Sequence, residues 1–223
     1  PTTWGFGEAA LGSGRIVLSM LSVSTGPGGS FVQANDLYLA EGCADKFELL
    51  TESAGYPEFS GDWLYYLHSP DRTDGIWRQK LPGSEPELIA APAGLFSLTA
   101  DAVVWDETRV GSLTSEVKLH AARLDGSSAR AVPASPGGQL GLEGSRSSVC
   151  GYVVDPTSPT FDYQGWWLYV PSLGAIVSAP PPPAAPGATM MLDAHSAGAD
   201  QMLFVEQSSN GIPTGKILLV SLP

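Results

Sequence analysis

An internal period of about 40 residues constrains this chain more than any other feature. Five apolar runs recur: RIVLSML at 15–21, DWLYYLH at 62–68, AVVWDET at 102–108, VCGYVVD at 149–155 and QMLFVEQ at 201–207. Each is short and rich in β-branched and aromatic residues, which is the behaviour of a buried strand. A polar loop follows each run. A second run then ends in Gly or Pro: NDLYLAEG at 35–42, GIWRQKLPG at 75–83, VKLHAARLDG at 117–126, GWWLYVPSLG at 165–174 and GKILLVSLP at 215–223. A third short strand follows in four units, as KFELLTES, PELIAAP, ARAVPAS and AIVSAP. The repeats cover approximately 4–52, 57–92, 95–134, 138–180 and 187–223, and one domain spanning 1–223 is expected. No strand is read ahead of Arg15.

Composition points the same way. Gly numbers 26 and Pro 19, while charged residues make up 15%, well under the roughly 25% usual for globular chains. A hydrophobic fraction of 43% with six Trp is too apolar for disorder, so the glycines and prolines punctuate packed strands. The stretch 33–52 reads as a helix in isolation, but Gly42 interrupts it and the repeat places two strands and a turn there. The class is all-β.

The second unit, FSGDWLYYLHSPDRTDGIWRQKLPGSEPELI at 59–89, resembles the repeat of TolB-type propellers. That pattern has an aromatic and Ser, a turn with Asp and Gly, an apolar strand, a polar loop and an Ile-Trp or Leu-Tyr strand. NDLYLAEG and ARLDGSSARAV match its second half, and TESAGYPEFS at 51–60 matches its junction. The resemblance implies a β-propeller of about five degenerate blades, each of three to four antiparallel strands. Phe59, Trp63, Tyr65, Trp77, Trp105, Trp166 and Trp167 are then expected to pack between blades. Ring closure is left open between a seal made by PTTWGFG at 1–7 and residues outside this sequence.

Charge excludes one class of partner. The net charge is −12 with only 11 Lys and Arg, so no cluster of cations exists to displace counterions from nucleic acid. No apolar run approaches the roughly 20 residues needed to span a bilayer. The opening PTTWGF lacks a charged n-region and an apolar h-region, so the expectation is either that a signal peptide has been removed or that none existed.

Catalytic chemistry is sparse. Ala194-His195-Ser196-Ala197-Gly198 resembles a nucleophile elbow, but the elbow needs a helix after its Ser and ADQMLFVEQ is a strand. His68, His120 and His195 lack ligand spacing, and no metal or cofactor is expected. GPGGS at 26–30 lacks the Lys and helix of a phosphate loop. Cys43 and Cys150 are not expected to be bonded to each other, because they fall in units one and four, which are not neighbours in a ring of five or six. SAPPPPAAPG at 178–187 reads as a stiff connector.

The expected role is a non-catalytic protein-binding or scaffold module of the cell envelope, periplasmic or extracellular. Its partner would be another protein or a membrane-associated complex. The alternatives are the propeller part of a hydrolase or peptidase, and a carbohydrate-binding propeller. Loops on a rigid scaffold concentrate binding residues. The long loops at 24–34, 69–74, 109–116, 156–164 and 208–214 are therefore the expected contact face, with Phe31, Arg72, Arg109, Phe161 and Tyr163 as anchors.

Overall fold

The computed structural model describes residues 3–25, 31–42, 46–68, 75–107, 118–132, 139–144, 147–154, 163–179, 182–195, 201–208 and 212–221. These residues form strands and turns, with no helix among them. Five antiparallel sheets follow one another along the chain, each a meander of consecutive strands. They divide into two compact units, 1–94 and 95–223.

The first unit holds two sheets. Strands β1 (Thr3–Gly12), β2 (Arg15–Thr25), β3 (Phe31–Glu41) and β4 (Glu48–Thr51) make one. Strands β5 (Ala54–Ser60), β6 (Trp63–His68), β7 (Gly75–Lys80) and β8 (Glu87–Ala90) make the other. Val17 and Leu37 of the first sheet meet Ala54, Leu64 and Tyr66 of the second in one buried cluster, with Phe59 and Trp77 packed against it. The opposite face of β2 and β3 leaves Leu18, Met20 and Tyr38, with Phe47, around an apolar groove.

The second unit holds three sheets. The first contains β9 (Phe96–Leu98), β10 (Ala102–Asp106), β11 (Leu119–Arg123) and β12 (Arg130–Ala131). The next contains β13 (Gln139–Gly144), β14 (Val149–Val154), β15 (Tyr163–Val170) and β16 (Ala175–Ala179). The last contains β17 (Ala188–His195), β18 (Gln201–Ser208) and β19 (Pro213–Ser221). Strand β15 shows why its sequence is apolar from Trp166 to Val170. Trp167 and Tyr169 are buried against Val104, Leu119 and Ala121 on one side. Trp166, Leu168 and Val170 point the other way, into a cluster with Phe204 and Leu218. Side chains alternate across a strand, so a sheet covered on both faces needs apolar residues at both parities.

Two sequence expectations are revised. A strand stands ahead of Arg15: from Thr3 the segment PTTWGFG belongs to β1, which pairs with β2 over Thr3–Val23 through Gly12–Arg15. A strand likewise precedes the apolar run in every other unit, as β5, β9, β13 and β17. These leading strands escaped the pattern for a physical reason. In β1, β5, β13 and β17 the pairing slips, at Phe6/Ala9, Gly55/Glu58, Leu140/Glu143 and Leu192/Ala194, while β9 pairs evenly but is only three residues long. A bulge adds a residue and raises local twist, which breaks the two-residue alternation that betrays a strand. Trp63 is the other revision: it is half-buried beneath the Arg78 guanidinium, 4.2 Å from the ring centroid. Cys150 is a buried thiol outside any disulfide, and Cys43 lies outside the described residues.

Close approach between neighbouring sheets is set by glycine. A Cβ on Gly144 would collide with the Leu98 backbone carbonyl, and backbone cannot swing aside. Gly144→Ala is expected to destabilise the protein by about 1–3 kcal/mol, the usual cost of overpacking. Gly187→Ala, at a position with open space but positive φ, should cost only the roughly 1–2 kcal/mol of a left-handed backbone. Urea unfolding midpoints of the two variants check the order.

Candidate binding edge

In both units the short turns gather at one end of the sheets, which fixes where the longer connections leave. The β1–β2 turn touches the β5–β6 turn through Ser13, whose hydroxyl lies 2.8 Å from Asp62 Oδ1 and 2.9 Å from the Gly61 carbonyl. Ser13 at φ 49° and Gly14 at φ 72° make this tight hairpin, whose positive φ values match strand twist. The connections at 26–30 and 69–74 leave from the opposite ends of the same strands. In the second unit Arg130 Nη2 donates to the Pro171 carbonyl at 2.9 Å, joining the β11–β12 and β15–β16 turns. The connections from β10 to β11 and from β14 to β15 leave at the other end.

The sequence-derived anchors meet this geometry unevenly. Phe31 opens β3 opposite Thr25, and Tyr163 opens β15 opposite Val154. Arg72, Arg109 and Phe161 lie outside the described residues, as does Ser196.

What the structure adds is chemistry at the bases of the loops. His68 ends β6 with its ring 5.6 Å from that of Trp77 and nearly perpendicular to it. Burial lowers its pKa and so favours the neutral imidazole. His120 stacks on its cross-strand partner Trp105 at 5.4 Å, with Nε2 2.7 Å from Glu107 Oε1. Asp106, also buried, accepts a hydrogen bond from the Leu95 N–H at 3.1 Å and so ties the loop base to the start of the unit's first sheet.

Glu206 in β18 is the most constrained of these groups. Its carboxylate accepts from the Ala185 N–H at 2.9 Å and the Thr214 hydroxyl at 2.7 Å, and Lys216 Nζ lies at 3.3 Å. The Ala185 N–H, then the Thr214 hydroxyl and the Lys216 ammonium, hold its carboxyl below the ordinary range although burial opposes them. It thereby pins the Pro-rich connector to the last sheet, as a stiff linker requires.

A second acid behaves oppositely. Glu8 sits in the slipped stretch of β1 and Tyr56 in that of β5, the latter at φ 54°. Burial raises the carboxyl of Glu8, while burial and then the charge of Glu8 raise the phenol of Tyr56. Bulges re-aim side chains, and only the observed register brings these two together. Among the described residues no three His, Cys, Asp or Glu side chains form a metal-holding group, and no helix is long and apolar enough to cross a membrane.

No family model matches the sequence, and no curated protein matches it. Solved structures do match. The β-propeller domain of the trilobed protease from Pyrococcus furiosus superposes with a TM-score of 0.62 at 8% identity, over 98% of this chain and 68% of that one. The acylaminoacyl peptidase of Pyrococcus horikoshii gives 0.62 at 9% identity, over 97% of this chain and 38% of its own. This chain therefore spans well under half of that peptidase. A putative TolB from Agrobacterium tumefaciens gives 0.60 at 13% identity, over 98% of this chain and 77% of that one. The fold is that of a β-propeller, built here from five sheets of three or four strands.

The two perturbed acids predict opposite pH behaviour. Glu206 has a depressed folded-state pKa, so its contribution is present above the ordinary carboxyl value near 4.3 and is lost as pH falls through the folded value. Glu206→Gln should lower the urea midpoint at pH 7, with the deficit closing in acid. Glu8 has a raised pKa, so its charge costs stability above the folded value and nothing once both states are protonated. Glu8→Gln should raise the midpoint at pH 7, with the gain vanishing in acid. Unfolding curves between about pH 7 and pH 3 check both signs.

Proposed function

We propose that this chain is a TolB-type protein-binding propeller of the cell envelope, working in the periplasm or outside the cell without catalysing a reaction. The carrying observation is the segregation of connections in each unit. Short turns hydrogen-bonded to one another occupy one end of the sheets, and the long connections leave from the other. Such an edge offers variable loops on a rigid base, the arrangement that binding surfaces favour. The likeness to TolB in fold and the resemblance of the 59–89 repeat to that family support the reading. Net charge of −12 favours a partner with a basic surface.

A second reading is a propeller part of a peptidase, favoured by the likeness to peptidase structures of which this chain spans 38%. The two separate on one fact. A reading frame that continues into an α/β-hydrolase domain carries the peptidase reading, and a frame without one carries the scaffold.

Replacing Phe31, Arg72, Arg109, Phe161 and Tyr163 together with Ala is expected to weaken partner capture by at least about 2 kcal/mol, the cost of losing a single hot spot. The melting temperature should hold. Unaltered capture by a folded variant would count against the loop edge, and loss of folding would recast these residues as packing.

A further inference from the structure

A cavity of about 310 Å³ lies in the second unit, at the short-turn end of its sheets and away from the loop-bearing edge. Asp101, Arg123, Ser128, Arg130, Pro171 and Ser172 surround it, and Ala121 contributes to its wall. The β9–β10, β11–β12 and β15–β16 turns thus converge on one hollow.

Its two arginines are unlike the other two described ones, Arg15 and Arg78. Arg15 is 3.6 Å from Glu41 and Arg78 is 2.8 Å from Glu87, so each is paired with a carboxylate. Arg123 makes no side-chain hydrogen bond or ion pair among the described residues, and Arg130 makes only its bond to the Pro171 carbonyl. In a chain of 23 acids and 11 Lys and Arg, the two described arginines without an acidic partner both face the same cavity. The Pro171 bond uses one of Arg130's five N–H donors and orients the rest. The backbone around them is held as well: Arg123 N–H donates to the Ser127 carbonyl at 2.9 Å, Ser127 N–H donates to Asp125 Oδ1 at 2.9 Å, and Ser128 adopts φ 60°. A non-glycine residue kept in the left-handed region needs surroundings that impose it.

We propose that this cavity binds a monocarboxylate, with Arg123 and Arg130 as the paired guanidinium donors. Guanidinium groups match a carboxylate with parallel N–H donors. Two arginines and Asp101 leave the lining one positive charge in excess, which suits a monoanion and disfavours a dianion. Asp101 Oδ1 accepts from Thr99 Oγ1 at 3.1 Å, and the carboxylate beside it, with the Ser128 and Ser172 hydroxyls, suits a ligand that carries an N–H group near its carboxylate. The volume falls within the usual 300–1,000 Å³ of small-ligand sites. A free small acid and the carboxyl terminus of a peptide share this chemistry.

The test is calorimetric titration of the intact chain with N-acetyl-Ala-Ala as free acid, its C-terminal amide, propionate and inorganic phosphate. The free acid should bind saturably, with the amide and phosphate each at least about tenfold weaker, the effect of about 1.4 kcal/mol. Arg123→Gln and Arg130→Gln should each weaken it at least about tenfold, and Arg130→Lys should recover only part of the loss. Propionate equal to the peptide acid identifies a small-acid site, and a clear preference for the peptide acid identifies a terminus site. Arg123 has no side-chain partner to lose, so its variant reports binding without a folding penalty, checked by the unfolding midpoint. Absence of saturable binding, binding indifferent to Arg123, or phosphate as the tighter ligand overturns the proposal.

Discussion

Everything in this structure depends on covering a small twisted sheet on both faces. A sheet of three or four strands offers two surfaces, and one layer cannot bury either by itself. Strand β15 states the solution residue by residue, because Trp167 and Tyr169 are spent against one neighbour and Leu168 against the other. Each buried aromatic removes on the order of 150–250 Å² from water. Such burial requires the sheets to approach closely, and Gly144 beside the Leu98 carbonyl is where backbone meets backbone. The turns are then locked to each other by polar contacts such as Ser13 with Asp62 and Arg130 with Pro171.

Legibility followed periodicity. The second and third strands of each sheet were plain in the sequence because double-sided burial gives them unbroken apolar runs bounded by Gly or Pro. The leading strands were not, because slips such as Gly55/Glu58 interrupt alternation in four of them and the fifth, β9, is only three residues long. The ends at which long connections leave could be anticipated from strand order alone. What no pattern revealed was the pairing between segments far apart in the chain: Glu8 with Tyr56, Glu206 with Ala185, and Arg130 with Pro171 beside one cavity. Residues distant in sequence share those sites only through register, and an acid or arginine that will be partnered looks in sequence like any solvated charge.

The two ends of the sheets have different physical characters. The short-turn end is polar and held by hydrogen bonds, and in the second unit two exposed arginines without acidic partners among the described residues line a cavity there. The loop end rests on wedged imidazoles and buried carboxylates, with His68 against Trp77, His120 against Trp105, and Glu206 clamping the Pro-rich connector. Rigid bases of this kind let loops vary without disturbing the sheets, which is how one fold hosts many functions.

Amide hydrogen exchange of the chain alone and in complex with a partner co-purified from native membranes tests the assignment of the loop end most directly. The account predicts that exchange slows in 24–34, 69–74, 109–116, 156–164 and 208–214 and stays unchanged at the turns 13–14, 61–62, 124–129 and 171–174. Protection centred on those turns, with the long connections exchanging as in the free chain, would contradict it.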